Sequence, residues 1–99
     1  MNIENKDTTL HVSGITELIA ATAPDVKTKL RLHFLDGLVD IDCDCSNLDF
    51  VDSSGLGVLI SMQKLANERG GKLRLVSPKP SVVQLLELTR LHRVFEIVS

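Results

Sequence analysis

Polar and apolar side chains alternate with a period of two along Asp40-Ile41-Asp42-Cys43-Asp44-Cys45, the mark of a strand with one buried face. Ile41, Cys43 and Cys45 take the inward positions. Lys72-Leu73-Arg74-Leu75-Val76 repeats the alternation, and Val94-Phe95-Glu96-Ile97-Val98 reads as a closing strand. Near the start, Asn2 to Glu4 and Thr8 to Ser13 form a short hairpin around Asn5-Lys6-Asp7, with Gly14 closing its second strand. Between these segments the period lengthens to that of a helix. Thr22-Ala23-Pro24 opens the first helix, with Thr22 as a candidate cap and Pro24 in the first turn, where its missing N–H costs nothing. Val26, Leu30 and Phe34 line its buried stripe, and Asp36-Gly37 ends it. From Gly55 to Arg69, Val58, Leu59, Met62, Leu65 and Ala66 recur at helical spacing until Gly70-Gly71 stops them. After the break Ser77-Pro78-Lys79-Pro80, Ser81 is placed to cap a third helix carrying Val82, Leu85, Leu86 and Leu88.

Strands separated by helices imply an α/β fold with a mixed β-sheet whose crossovers are parallel and right-handed. A parallel strand covered on both faces would be continuously apolar, yet Asp40, Asp42 and Asp44 all project from one side of theirs. One face of the sheet is therefore expected to stay open, with the helices packed mainly on the other. With 99 residues, 43% of them hydrophobic, the chain suits a single domain over residues 1–99 with one core.

Charge and cysteine content narrow the function classes. A net charge of -2 with scattered Lys and Arg gives no electrostatic footprint for nucleic acid. The stretch from Met1 to Asp7 is too polar for a signal peptide, and no run approaches the roughly 20 apolar residues of a membrane span. A cytoplasmic location with no membrane insertion is expected. Cys43 and Cys45 point to the core as reduced thiols, and His11, His33 and His92 show no ligand spacing, so neither metal nor cofactor is implied.

The candidate chemistry sits in Asp52-Ser53-Ser54-Gly55-Leu56-Gly57, where a strand-like segment gives way to the second helix. Hydroxyls there lie at a helix N-terminus, where free N–H groups and the helix dipole favour negative charge such as phosphate. Simple capping by Asp or Ser would also explain the residues. Gly55 and Gly57 argue for more, since each costs up to about 1 kcal/mol of helix propensity relative to Ala. On the helical wheel Leu56 and Ile60 fall beside Gln63 and Asn67, which makes them an expected exposed apolar pair for a partner. No His or second acidic group near Ser53 in sequence would activate it as a nucleophile, and the Lys of a phosphate-binding loop is missing. The chain is not expected to be an enzyme. Chemistry alone leaves Ser53 and Ser54 as alternative acceptors.

The segment from Cys43 to Ile60, with Asp44, Ser46 and Phe50-Val51-Asp52-Ser53-Ser54-Gly55-Leu56-Gly57-Val58-Leu59, resembles the anti-sigma factor antagonist family of the STAS superfamily. The Gly14 turn, Ala23-Pro24, Gly70-Gly71 and Ser77-Pro78 are similar to the same pattern. The resemblance implies a non-catalytic partner-switching regulator. Unmodified, such a protein binds an anti-sigma factor that is also a serine kinase with a histidine-kinase-like ATPase fold, which frees the sigma factor. The kinase then phosphorylates the serine after the Asp, here Ser53, and the complex separates until a serine phosphatase resets it. Glu17, three positions after Gly14, matches the family's acidic loop residue, although the first helix starts about two residues later than is typical. The partner surface then comprises Glu17, Asp52, Ser54, Gly55, Leu56, Gly57 and Ile60. The rival that the resemblance leaves is a cytoplasmic STAS subunit of an ABC-type phospholipid transport complex.

Overall fold

The computed structural model describes all 99 residues. The hairpin is formed by β1 (Asn2–Lys6) and β2 (Thr9–Ser13). Its turn is Asp7-Thr8, with Asp7 at a left-handed φ of 55°, one of the few non-glycine residues able to sit there. The expected turn around Asn5-Lys6-Asp7 is thus displaced, because β1 keeps pairing as far as Lys6 opposite Thr9. The chain continues through β3 (Glu17–Leu18), α1 (Ala23–His33), β4 (Asp40–Asp44), β5 (Phe50–Val51), α2 (Ser53–Glu68), β6 (Leu73–Val76), α3 (Pro80–Leu88), a 3-10 turn (Leu91–Arg93) and β7 (Glu96–Val98).

The main sheet has five strands in the order β1-β2-β4-β6-β7. Only the β1–β2 pair is antiparallel; β2–β4, β4–β6 and β6–β7 are parallel, so the sheet is mixed as expected. Its inward residues Leu10, Val12, Ile41, Cys43, Leu73 and Leu75 join α1, α2 and α3 in one core cluster of 23 buried residues. Its outer face carries a row of register partners, Glu4, His11, Asp42, Arg74 and Glu96, that crosses all five strands. Arg74 Nε donates to Asp42 Oδ1 at 2.5 Å, which raises the guanidinium's pKa. This is the open polar face that the three aspartates foretold.

Three local expectations change, and one element is new. Thr22 occupies the cap position of α1 without capping it, because its Oγ1 accepts from the Ile19 N–H at 3.1 Å and donates to the Glu17 carbonyl at 3.0 Å, bracing the preceding loop instead. At α3 the cap position is Lys79 rather than Ser81, and Pro80 begins the helix, a position that needs no N–H. Val94 and Phe95 fall outside β7, since their N–H groups close the 3-10 turn onto Leu91. The short strands β3 and β5 pair with each other in a separate parallel ribbon that no periodicity announced.

Cys43 and Cys45 are buried free thiols with sulfurs 3.9 Å apart. Their contact, together with burial, pushes the Cys43 thiol well above its ordinary range. At the far end of α2, Arg69 lies 3.9 Å over the Phe34 ring and donates to the carbonyls of Phe34, Leu35 and Leu38 at 3.0, 2.8 and 2.9 Å. One side chain thereby satisfies carbonyls at and beyond the end of α1 that the helix cannot.

Candidate functional site

The site begins where β5 stops. Asp52 has an extended backbone (φ -116°, ψ -171°) and is the N-cap of α2. Its Oδ1 accepts from the N–H groups of Ser54 (2.8 Å) and Gly55 (3.1 Å), while its Oδ2 accepts from the Ala20 N–H at 2.9 Å. Asp and its two following N–H groups form the usual capping geometry; the bond to Ala20 additionally binds the loop between β3 and α1 to the helix start. The Asp52 N–H donates to the Leu18 carbonyl at 3.3 Å, completing the link between ribbon and helix. The Ala20 N–H, followed by those of Gly55 and Ser54, lowers the Asp52 pKa below the ordinary carboxylate value.

Asp52 therefore takes the cap and leaves Ser53 as the first residue of α2. Both Ser53 and Ser54 are exposed. The expectation that free N–H groups of the helix start would cradle a phosphate needs correcting, because those of Ser54 and Gly55 are already spent on Asp52.

The two glycines have different reasons to be there. Gly55 is buried, and a Cβ on it would lie 1.9 Å from the Leu18 carbonyl oxygen, so it is glycine to let α2 approach the ribbon. It is not a free surface for a partner. Gly57 is exposed, and a Cβ there would meet nothing within 4 Å. Internal packing does not demand it. It lines an open groove of about 460 Å³ between α1 and α2, together with Ala20, Ala23, Pro24, Lys27, Ser54, Val58 and Ser61. Lys27 is the only ionisable side chain of that lining, and neither His nor Cys belongs to it.

Leu56 and Ile60 do not form an exposed pair. Leu56 is 9% exposed and Ile60 packs half-buried against the core. The reason is the ribbon: α2 packs against β3 and β5 as well as α1, β4 and β6, so its first turns are covered on more sides than one apolar stripe accounts for. The face that the wheel assigned to a partner is consumed by the fold.

Glu17 is exposed on β3, and its register partner across the ribbon is Phe50. Phe50 is 62% exposed, only two residues before Asp52. The sequence places it in the family-like segment without a binding role, although Phe50-Val51 is a strand-favouring pair set between polar residues. No helix is long and apolar enough to cross a membrane.

The family model for the STAS domain matches residues 1–99. The chain is 30% identical over 100 aligned residues to the anti-sigma-B factor antagonist of Listeria monocytogenes, covering 98% of this chain and 86% of that protein. A crystal structure of a candidate anti-sigma factor antagonist from Thermotoga maritima is similar at a TM-score of 0.91 and 29% identity, over 99% of this chain and 85% of the other. SpoIIAA, an anti-sigma factor antagonist and Bacillus cell fate determinant, shares the fold in both its forms. The unphosphorylated form has a TM-score of 0.76 and 18% identity over 99% of this chain and 86% of its own. The phosphorylated form has 0.75 and 19% over 99% and 90%.

Proposed function

This chain belongs to the STAS domain family, and on that premise we propose that it is an anti-sigma factor antagonist that acts by partner switching. In its unmodified state the Ser53 turn docks on an anti-sigma factor serine kinase of the histidine-kinase-like ATPase fold and frees the sigma factor. Phosphorylation of Ser53 ends the docking, and a serine phosphatase restores it. The 1–99 unit acts in the cytoplasm as a single binding domain, a substrate of the kinase with no chemistry or cofactor of its own.

The observation that carries this reading is the division of labour at the start of α2: Asp52 caps the helix, so the exposed Ser53 hydroxyl has no structural duty. A phosphate there adds about -1.5 to -2 charges beside a carboxylate that is already held ionised. The helix dipole favours that charge, which lets the fold survive it. With the N–H groups of Ser54 and Gly55 bonded to Asp52, those two donors do not serve to hold a phosphate against the helix. A partner closing over the turn must then bury it, at a cost of several kcal/mol if nothing neutralises it. The bare Gly57 and the groove beside it let such a partner approach the α2 backbone closely. Ser54, which lines the groove with Lys27, remains the alternative acceptor.

Incubation with the anti-sigma factor kinase and ATP, followed by mass spectrometry, tests the assignment. The phosphate is expected on Ser53, with labelling abolished in Ser53→Ala and retained in Ser54→Ala. Labelling that persists in Ser53→Ala and disappears in Ser54→Ala would transfer the role to Ser54.

A further inference from the structure

The chain has three aromatic residues, and they divide sharply. Phe34 and Phe95 are each 4% exposed, whereas Phe50 is 62% exposed. A lone surface hydrophobe means little. Phe50 is the one exposed aromatic ring, and its backbone is tied down on both sides. The residue before it, Asp49, donates its N–H to the Thr16 carbonyl at 2.9 Å, and its carboxylate takes an ion pair from Lys79 at the start of α3. Phe50 itself pairs with Glu17 in the ribbon, and Asp52 then locks the chain to Leu18 and Ala20. A side chain presented from so constrained a backbone spares a partner the cost of ordering that backbone when the ring is buried.

Register places Phe50 and Glu17 on the same face of the ribbon, with the half-buried Val51 and buried Leu18 turned the other way. The outward face thus offers one aromatic ring next to one free carboxylate. Its complement is an apolar pocket with a basic group on its rim. Deepening the partner-switching reading, on which it rests, we propose that Phe50 is the anchor that enters such a pocket on the anti-sigma factor, with Glu17 pairing the rim. Neither residue is the phosphate acceptor. Phe50 therefore supplies affinity common to every encounter, and the charge at Ser53 decides whether the complex persists.

The test uses the full chain and the purified anti-sigma factor kinase, with affinity from calorimetry and kcat and KM for phosphorylation of Ser53. Phe50→Ala is expected to weaken binding and raise KM at least about tenfold, as for an aromatic hot spot. Its kcat should stay within about twofold, the pattern of lost uniform binding. Phe50→Leu should recover most of the affinity, and Glu17→Lys should weaken binding several-fold, more at low salt than at high. Phe50→Ala with wild-type affinity and KM, while the wild-type chain binds and is labelled, overturns the anchor and leaves partner switching standing. A large loss of thermal stability in Phe50→Ala also overturns it, by showing the ring to be core. A wild-type chain that neither binds nor is labelled overturns partner switching, and the anchor with it.

Discussion

The two ends of α2 use their side chains in opposite ways. At the C-terminal end Arg69 spends its guanidinium on the Phe34 ring and three carbonyls, binding α1 to α2. At the N-terminal end the side-chain hydrogen bonds all come from one residue, Asp52, and Ser53, Ser54 and Gly57 are left exposed around it. The lesson is that a helix start can leave its hydroxyls exposed once one side chain takes over the capping and tying hydrogen bonds there. Capping and the signalling role proposed for Ser53 are then separable, although they occupy adjacent positions.

Gly55→Ala probes the limit of that separation and should have the largest effect. Its Cβ would lie 1.9 Å from the Leu18 carbonyl oxygen, so about 3 kcal/mol of stability should be lost, at the upper end for overpacking. Chemical denaturation measures it, and a neutral result would mean that the ribbon yields easily. Arg69→Met, which keeps much of the apolar stem and removes the hydrogen bonds, should cost about 1 to 2 kcal/mol. Its affinity for the anti-sigma factor should be unchanged once folded, and weakened binding would show that the two ends are not independent.

Gly57→Ala should do the reverse. With open space around its Cβ position, it should gain up to about 1 kcal/mol of helix stability. Partner affinity should nevertheless fall by about tenfold if a neighbouring chain approaches that backbone. Thermal melting and calorimetry on the same preparation read both effects.

The smallest effect is the pH dependence of the cap. The Asp52 pKa is lowered in the folded chain, so its stabilisation is present above the ordinary carboxylate value of about 3.9 and is lost as pH falls through the lower folded value. Asp52→Asn should therefore melt earlier than wild type near neutrality, with the gap narrowing as the solution is acidified below about pH 4. A gap that stays constant across that range would mean that ionisation of Asp52 contributes nothing.

Much of this was legible along the chain. The two-residue alternation from Asp40 to Asp44 and from Leu73 to Val76 located two central strands and their open outer face, and Val58, Leu59, Met62 and Ala66 are the buried stripe of α2. The ribbon was not legible, because Glu17-Leu18 and Phe50-Val51 are each too short to show a period and pair only with each other. That omission propagated. Without the ribbon, Leu56 reads as exposed, Gly55 reads as surface, and Phe50 receives no binding role. Caps were visible as residue types and not as bonds, since Thr22 has the right side chain but uses it on Glu17 and Ile19. Local sequence shows what a residue can do; long-range contacts determine which of those options it takes.

Calorimetry of the anti-sigma factor with unmodified and Ser53-phosphorylated chain, alongside thermal melts of both forms, tests the central claim most directly. Phosphorylation should weaken association at least about tenfold, equivalent to about 1.4 kcal/mol, while both forms melt as intact folded domains. Equal affinity of the two forms would contradict the account and make the transport-complex subunit the better description of this chain.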